Sequence, residues 1–331
     1  MRVALVTPVL IEGDAVGNDM FGMAKALFQA GHEVKYYTEN HPYQHISNLN
    51  EADVYIYHHS ISCEWGVRKF EELKCNKKIL KYHNITPPHF FTDPNTVTAC
   101  EKGLKQIERL LKHADKVWVD SEYNGQHLKS FGNCEYEILP PFNQSEQLTN
   151  ALPDHQPVLS YNDWNTNILM VGRVTANKNA LAGIEAFRQY SKTNPHSRLL
   201  IVGSPEETYM PKIQAALTGL KNVVLAGKVS LEVLKAYYLI SDVLLVTSLH
   251  EGFCVPMIEA MALGVPVLSN KTCALPYTGG DAVCYYEDDL VEKLELALRE
   301  KKKYIAKGRK RYNEHFQYEV IKNHLLSSMV Q

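Results

Sequence analysis

The chain has no apolar run that approaches the roughly 20 residues of a membrane-spanning helix. The apolar stretch after Met1 and Arg2 is too short for the hydrophobic region of a signal peptide with a small-residue cleavage site. A strong excess of one charge is missing as well, because 35 Lys and Arg residues and 37 Asp and Glu residues give a formal net charge of -2. We therefore expect a cytoplasmic protein that does not bind nucleic acid.

Cysteine and metal-binding patterns are also sparse. The seven cysteines are odd in number, widely spread and never form a C-x-x-C pair, which argues against a disulfide framework or a zinc ribbon and predicts reduced thiols. His58 and His59 are adjacent in a predicted strand, so their side chains point to opposite faces, and no suitably placed Asp-x-Asp sequence accompanies them. We therefore predict no metal site and no bound cofactor.

The length of 331 residues exceeds what one hydrophobic core usually holds, so two domains are expected. Short apolar runs alternate with helical patterns in both halves, which predicts parallel sheets covered by helices, and the first strand is predicted over 3–10. Residues 143–165 are rich in Asn, Gln, Pro and Asp with little periodicity, which is typical of an interdomain linker. The pattern predicts two doubly wound α/β domains, at 1–150 and 151–311, with ligands at the carboxyl ends of the strands.

The run HEGFCVPMIE at 250–259 places two glutamates eight positions apart. If Glu259 lies in the first turn of a helix and Glu251 in the loop before it, both carboxylates can face one crevice. The positive end of the helix favours an anion there, so the spacing suits a phosphorylated ligand. The alternative is a surface glutamate followed by a glutamate that caps a helix.

Two cations occur in the sequence VGRVTANKN at 171–179, where a predicted strand passes into a helix. Arg173 and Lys178, five residues apart, could neutralise the two phosphates of a diphosphate ligand. The alternative is a pair of solvated basic residues. Their occurrence upstream of Glu251 and Glu259 favours the phosphate-binding interpretation.

Two further places in the first half could contribute to a ligand site. Gly13 and Gly17, between the first strand and the first helix, permit close approach of the backbone to a phosphate, although a plain turn is the alternative. The sequence G-x-G-x-x-G is absent, which argues against a dinucleotide site. His83 directly follows a predicted strand, so it lies at the carboxyl edge of the sheet. Ser121 also follows a strand, but it fits a helix N-cap better than a catalytic role.

The glutamate pair together with AMALGVPV at 260–267 resembles the E-x7-E signature of retaining glycosyltransferases of the family 4 type, and 172–178 is similar to their G-R-x-x-x-x-K sequence. The resemblance implies the GT-B fold, in which two Rossmann-like domains face a central cleft. It further implies a C-terminal helix, here over 312–331, that crosses back to the N-terminal domain.

The resemblance also implies roles for individual residues. Arg173 and Lys178 would bind the diphosphate, Glu251 the hydroxyls of the donor sugar, and Glu259 the ribose. His83 would position the sugar or stabilise the transferring centre. The remaining candidates line the donor site: Gly13, Gly17, Lys228 near the base, and the backbone amides of Gly252, Phe253, Cys254 and Val255.

The implied reaction moves a hexose from a nucleotide diphosphate sugar to a glycan or lipid-linked oligosaccharide, without a metal, in the synthesis of a bacterial surface polysaccharide. Mannose from GDP-mannose is the favoured donor, with glucose, galactose or N-acetylglucosamine from UDP donors as alternatives. A nucleotide-sugar 2-epimerase, a phosphorylase or a non-catalytic sugar-nucleotide-binding subunit could share the fold. A dehydrogenase lacks support because the dinucleotide fingerprint is missing.

Basic stretches give a hypothesis of peripheral contact with the inner membrane. They are 301–303, 309–311 and a predicted helix over 96–113 that carries Lys102, Lys105, Arg109 and Lys112. Solvated helix faces are the alternative, since the same helix has the apolar spacing of a core stripe.

Overall fold

The structure is a computed structural model that describes residues 1–11, 13–39, 51–163 and 165–330. The chain divides into two compact units. The first unit comprises residues 1–143 together with the C-terminal residues from Tyr318, and the second comprises Gln144–Gln317. The division therefore falls seven residues before the predicted one at 150, and the return to the first unit falls after 317 rather than after 311.

Within the described residues, each unit contains one six-stranded sheet in which all neighbouring strands run parallel. The strands of the first sheet are β1 Arg2–Val6, β2 Glu33–Tyr37, β3 Val54–His59, β4 Lys77–Tyr82, β5 Lys116–Val119 and β6 Glu137–Ile138. Those of the second are β7 Thr166–Val171, β8 Ser197–Val202, β9 Val223–Gly227, β10 Val243–Val246, β11 Val267–Ser269 and β12 Cys284–Tyr285.

The helices of the described residues are α1 Ala15–Gln29, α2 Glu64–Glu72, α3 Pro94–His113, α4 Glu122–Lys129, α5 Ser145–Asn150, α6 His155–Tyr161, α7 Ala180–Thr193, α8 Met210–Leu217, α9 Leu231–Leu239, α10 Val255–Leu263, α11 Leu275–Gly279, α12 Leu290–Arg299, α13 Lys301–His315 and α14 Tyr318–Val330. Most of them lie between consecutive strands, as the sequence predicts, whereas α5 and α6 both follow β6 and three helices follow β12. None of the helices in the described residues combines the length and the apolar character that crossing a bilayer requires.

Apolar side chains cover both faces of each sheet, which explains why the strands are nearly continuous apolar runs. In the first unit, one core cluster joins the sheet to α1 and α14, and a second joins its other side chains to α2 and α3. Ile107 and Leu110 of α3 are fully buried, as the predicted core stripe requires. The prediction of two doubly wound α/β units is confirmed.

The strand orders define where each sheet can bind a ligand. The order in the first sheet is β2-β1-β3-β4-β5-β6, and in the second it is β12-β11-β10-β7-β8-β9. The second order is that of the Rossmann fold, with the direction of winding reversed between β7 and β10. Loops that leave two such neighbouring strands diverge, so a crevice opens at their carboxyl ends. The corresponding point in the first sheet lies between β1 and β3.

The predicted linker at 143–165 is wrong, because its described residues contain α5 and α6. Leu148 of α5 is fully buried in a core cluster of the second unit, and the side chain of Asp154 caps α6 by accepting a hydrogen bond from the amide of Gln156 at 2.7 Å. Both helices have fewer than eight residues, so their hydrophobic periodicity cannot be recognised in the sequence.

The ends of two predicted elements differ in the structure. The first strand ends at Val6 rather than at residue 10, because Pro8 has no amide hydrogen for a sheet. Residues 312–315 belong to α13, and the C-terminal helix begins only at Tyr318. That helix belongs to the first unit, where the indole N–H of Trp118 donates a hydrogen bond to the hydroxyl of Ser328 at 2.8 Å.

We predict that Gly203, directly after β8, cannot be replaced by alanine without a large loss of stability. Its φ is +145°, and an added Cβ would lie 1.9 Å from the carbonyl oxygen of Gly172. Gly203→Ala should lower the free energy of unfolding by about 3 kcal/mol, because both the conformation and the contact are unfavourable. Urea unfolding measures this change.

Gly219→Ala is the matched control. Gly219 also has a positive φ, +76°, but an added Cβ would meet nothing within 4 Å, so a cost of only about 1 kcal/mol is expected. Equal effects of the two substitutions would contradict the proposed close approach of the backbone.

Candidate active site

Two loops at the switch point of the second unit are tied together by hydrogen bonds. The amide of Leu249 donates to the carbonyl oxygen of Asn177 at 2.8 Å, and the hydroxyl of Thr247 donates to that of Asn179 at 2.9 Å. Because one loop follows β7 and the other follows β10, these bonds hold the ends of two neighbouring strands in one arrangement. The loops therefore form a single preorganised site.

The ion pair between Lys178 and Glu251 joins the two sequence motifs directly. The Lys178 Nζ lies 2.5 Å from Glu251 Oε1, which also accepts a hydrogen bond from the hydroxyl of Ser248 at 2.8 Å. The Glu251 side chain is only 8% exposed. The partners are 73 positions apart in the chain, so folding alone brings them together.

Arg173 differs from Lys178 in having no salt bridge with the described residues, and it is exposed. Arg173, Lys178 and Glu251 line an open pocket together with Gly172 and Ser248. The pocket thus offers one unpaired guanidinium and one ammonium whose carboxylate partner is adjacent.

The start of α10 adds a backbone donor to this unit. Cys254, the N-cap residue, has a left-handed conformation with φ 82° and makes no side-chain cap hydrogen bond. Pro256 has no amide hydrogen and the amide of Met257 donates to the carbonyl oxygen of Cys254 at 3.2 Å, which leaves the amide of Val255 in the first turn to bind an anion. Phe253 is buried, with its ring 5.7 Å from that of Phe316 in an edge-to-face contact, so only its backbone can take part.

Glu259 was predicted to lie in the first turn of a helix, and this prediction is wrong. Because α10 begins at Val255 with proline in its first turn, Glu259 lies in the second turn. It is 8% exposed, and its Oε2 accepts a hydrogen bond from the hydroxyl of Tyr238 at 2.7 Å. Burial raises the pKa of Glu259 to about 6. Glu259 is not among the described residues that line the pocket of Glu251.

The remaining candidates are more scattered. Lys228 is exposed directly after β9. Gly13 has φ +82° in the loop after β1, where it can take a conformation that other residues rarely adopt. Gly17 lies inside α1, and an added Cβ would be 2.0 Å from the carbonyl oxygen of Ile11. Gly17 therefore has a packing role that the sequence did not reveal.

His83 follows β4 and is fixed by two side chains of the first unit. Its Nδ1 lies 3.0 Å from Asp120 Oδ2, and its Nε2 lies 2.9 Å from His58 Nδ1. A ring contact with a donor sugar would therefore require exchange of one of these partners. His58 and His59 were predicted to point to opposite faces of the strand. His59 accordingly has other surroundings than His58, because its Nε2 contacts the carbonyl oxygen of Gly103 at 3.0 Å.

Sequence reasoning missed three charged residues beside His83. Asp19, Lys81 and Asp120 are all at least 95% buried. Burial raises the pKa of Asp120, but the charges of His83 and Lys81 outweigh it, so the net pKa is lowered. A charged residue inside an apolar strand or helix pattern, as at Lys81 and Asp19, was the available signal.

Ser121 caps α4 as predicted, because its hydroxyl accepts a hydrogen bond from the amide of Asn124 at 3.4 Å. The seven cysteines are all unpaired, which agrees with the prediction of free thiols.

Several lysine and arginine side chains of the basic stretches form ion pairs with carboxylates, so fewer of them are available for anionic lipids than the membrane hypothesis requires. Arg109 is paired with Glu64 and Glu71, and Lys112 with Glu108. In the second unit, Lys301 pairs with Asp242 and Lys303 with Glu300. Contact with a membrane stays a hypothesis.

Comparison with known proteins shows that this chain is similar to glycosyltransferases. Residues 155–314 match the family model described as glycosyl transferases group 1. Lipopolysaccharide 1,2-N-acetylglucosaminetransferase of Salmonella typhimurium is 26% identical over 155 residues, which cover 42% of this chain and 41% of that protein. An uncharacterized glycosyltransferase of Methanocaldococcus jannaschii is 23% identical over 325 residues, covering 83% of this chain and 82% of the other.

The fold is shared with solved structures. HepE of Anabaena, in complex with UDP-glucose, superposes with a TM-score of 0.77 at 14% identity, covering 100% of this chain and 99% of that one. The prediction of a glycosyltransferase with two Rossmann-like domains of the GT-B type is confirmed at this level.

We predict that the raised pKa of Glu259 makes stability depend on pH. The folded state holds the proton up to about pH 6, whereas the unfolded chain releases it near 4.5. The stabilisation by protonation is therefore complete below 4.5 and is lost as the pH rises through 6, which amounts to about 2 kcal/mol. Glu259→Gln should abolish this slope in urea unfolding between pH 4.5 and 7.

Glu207→Gln, at an exposed position of the same unit, is the control and should leave the slope unchanged. Parallel pH profiles of the wild type and Glu259→Gln would contradict the raised pKa.

Proposed function

We propose that this chain, whose residues 155–314 match the family model of group 1 glycosyl transferases, transfers a hexose from a nucleotide diphosphate sugar with retention of the anomeric configuration. The observation that carries the proposal is the contact of Lys178 with Glu251 at the switch point of the second unit, beside the unpaired Arg173. This arrangement combines cations for a diphosphate with a carboxylate for a sugar.

The diphosphate would be bound by Arg173, Lys178 and the backbone amide of Val255 at the start of α10. An ammonium has three donors, so Lys178 can contact a phosphate oxygen while it keeps its bond to Glu251. Charge-assisted hydrogen bonds strengthen as negative charge grows on the leaving diphosphate, which lowers the barrier to its departure. In this scheme the two cations carry the leaving-group charge, and donor binding requires no metal.

Glu251 would contact the donor sugar. Lys178 and Ser248 both bind its Oε1, and neither bond uses Oε2. That oxygen can accept a hydrogen bond from a sugar hydroxyl, and the carboxylate charge stabilises an oxocarbenium-like centre. The leaving phosphate oxygen would accept the proton of the acceptor on the same face of the sugar, so no separate general base is needed.

The nucleoside would be bound on the side of Glu259 and Lys228. The bond from Tyr238 uses Oε2 of Glu259, so Oε1 can accept from the ribose hydroxyls. With a pKa of about 6, Glu259 is mostly ionised at neutral pH, which favours acceptance of these bonds. The implied role of His83 stays a prediction, because both its ring nitrogens already contact side chains of the first unit.

Two donor classes are candidates. GDP-mannose is the donor that the sequence resemblance favours. UDP donors are supported by the structure of HepE in complex with UDP-glucose, and N-acetylglucosamine as the transferred sugar is supported by the name of the Salmonella typhimurium protein. That name also supports a glycan or glycolipid acceptor in surface polysaccharide synthesis.

Binding of nucleotides tests the proposal. Isothermal titration calorimetry with GDP, UDP, ADP and their sugars should show one selective nucleotide. Arg173→Ala should weaken that binding by about 10- to 100-fold, since a hydrogen bond to a charged group contributes about 1.5 to 3 kcal/mol. Arg299→Ala removes an exposed arginine of the same unit and should leave binding unchanged.

Turnover separates the proposed transferase from its alternatives. Incubation with the selected nucleotide sugar should release the nucleoside diphosphate and free sugar, and early NMR spectra should show the sugar with the anomeric configuration of the donor. Release of a sugar epimerised at C2 would indicate a 2-epimerase. Binding without any release, with or without candidate acceptors, would indicate a non-catalytic subunit and overturn the proposal.

A further inference from the structure

Three side chains of the first unit converge at its switch point. Asp19 is in α1, His58 is in β3 and His83 directly follows β4. His58 Nδ1 lies 2.9 Å from His83 Nε2, and Asp19 Oδ2 lies 3.6 Å from the first nitrogen and 3.7 Å from the second. Histidine nitrogens and carboxylate oxygens are common ligands of transition-metal ions, so these three atoms could hold one.

The distances match the coordination radius of a metal ion. The point equidistant from the three atoms lies about 2.0 Å from each of them, as follows from their mutual distances. Zinc binds histidine nitrogen and carboxylate oxygen at about 2.0 to 2.2 Å. An ion slightly above the plane of the three atoms would have three protein ligands and one open position. The side chain of His83 is 5% exposed and those of Asp19 and His58 are buried, so the ion would be almost completely enclosed by the protein.

The charges of the cluster leave one carboxylate without a cation in contact. Lys81 Nζ lies 2.6 Å from Asp120 Oδ1 and also donates to the carbonyl oxygen of Leu139. Lys81 therefore pairs with Asp120 and not with Asp19. A buried carboxylate is costly unless it is paired, so the pocket favours a further positive charge next to Asp19.

The unpartnered oxygen of Asp19 favours a bound metal ion over a proton shared between His58 and His83 as the explanation of the cluster. Asp19 Oδ2 is buried and has no hydrogen-bond partner in the described part of the chain. A proton between the two histidines would explain their 2.9 Å contact but would leave this oxygen unpaired. A cation bound by all three atoms satisfies the oxygen and both nitrogens at once.

Outer contacts hold two of the three groups in position for a metal. Asp120 accepts a hydrogen bond from His83 Nδ1, which directs the Nε2 lone pair towards the centre of the cluster. Asp19 Oδ1 accepts a hydrogen bond from the amide of Phe142 at 2.7 Å, which leaves Oδ2 for the ion. Such carboxylate–histidine–metal arrangements are typical of zinc sites. His58 has no comparable outer partner among the described residues.

We propose that Asp19, His58 and His83 bind one divalent transition-metal ion, for which Zn²⁺ is the first candidate. A fourth coordination position would be open to water or to an oxygen of a ligand. The sequence indicated no metal site because the neighbouring residues His58 and His59 point to opposite faces of a strand. The site uses only one of them and takes its other ligands from distant elements. The inference rests on the first unit alone and does not depend on the proposed function.

Metal binding by the untagged wild-type chain is the first test. After removal of metals by a chelator, titration with Zn²⁺ should give one bound ion per chain with a dissociation constant of micromolar or below. Co²⁺ should give the visible absorption of a four-coordinate site, and zinc X-ray absorption should show two imidazoles with no sulfur. Absence of stoichiometric binding, or a sulfur ligand, would overturn the proposal.

Variants locate the ion. Asp19→Asn and His58→Gln should each weaken Zn²⁺ binding at least 10-fold, as removal of a ligand requires. His324→Gln is the matched control, since His324 also contacts a carboxylate, Glu137 at 2.7 Å, and should bind Zn²⁺ as the wild type does. Unchanged binding in both ligand variants would place the ion elsewhere. If either variant does not fold, the wild-type X-ray absorption still decides between the outcomes.

Discussion

The second unit depends on one electrostatic contact, the pair of Lys178 and Glu251. It joins the loop after β7 to the loop after β10, at the point where the sheet reverses its winding. A buried carboxylate at this place is stable only with a partner, and Lys178 supplies the partner without using all its donors. In the proposed function, the contact that stabilises these loops also holds a cation and a carboxylate in place for a diphosphate and a sugar.

Much of this arrangement can be predicted from local sequence. Buried parallel strands are apolar runs, so the alternation of strands and helices was visible along both halves. Arg173, Lys178 and Glu251 could be placed at strand ends because each motif spans a strand and the loop that follows it. The short helices α5 and α6 could not be predicted, since two turns contain too few residues for a periodic pattern.

The parts of the site that the sequence did not reveal depend on contacts between distant positions. Glu259 was expected in the first turn, but its turn is fixed by where α10 begins, which the left-handed conformation of Cys254 determines. The pairing of Asp19 with His58 and His83 arises only when α1, β3 and β4 assemble. In the sequence, Asp19 and His58 lie within largely apolar elements and His83 directly follows one, which indicates buried polar contacts without identifying the partners.

The central claim is that Lys178 and Glu251 act as one unit in the release of a nucleoside diphosphate. A double-mutant cycle with Lys178→Met, Glu251→Gln and the combined variant measures it, with the rate of nucleotide release from the selected sugar donor as the readout. The account predicts that the double variant is about as slow as the slower single variant. Multiplicative losses, as for two independent residues, would contradict it.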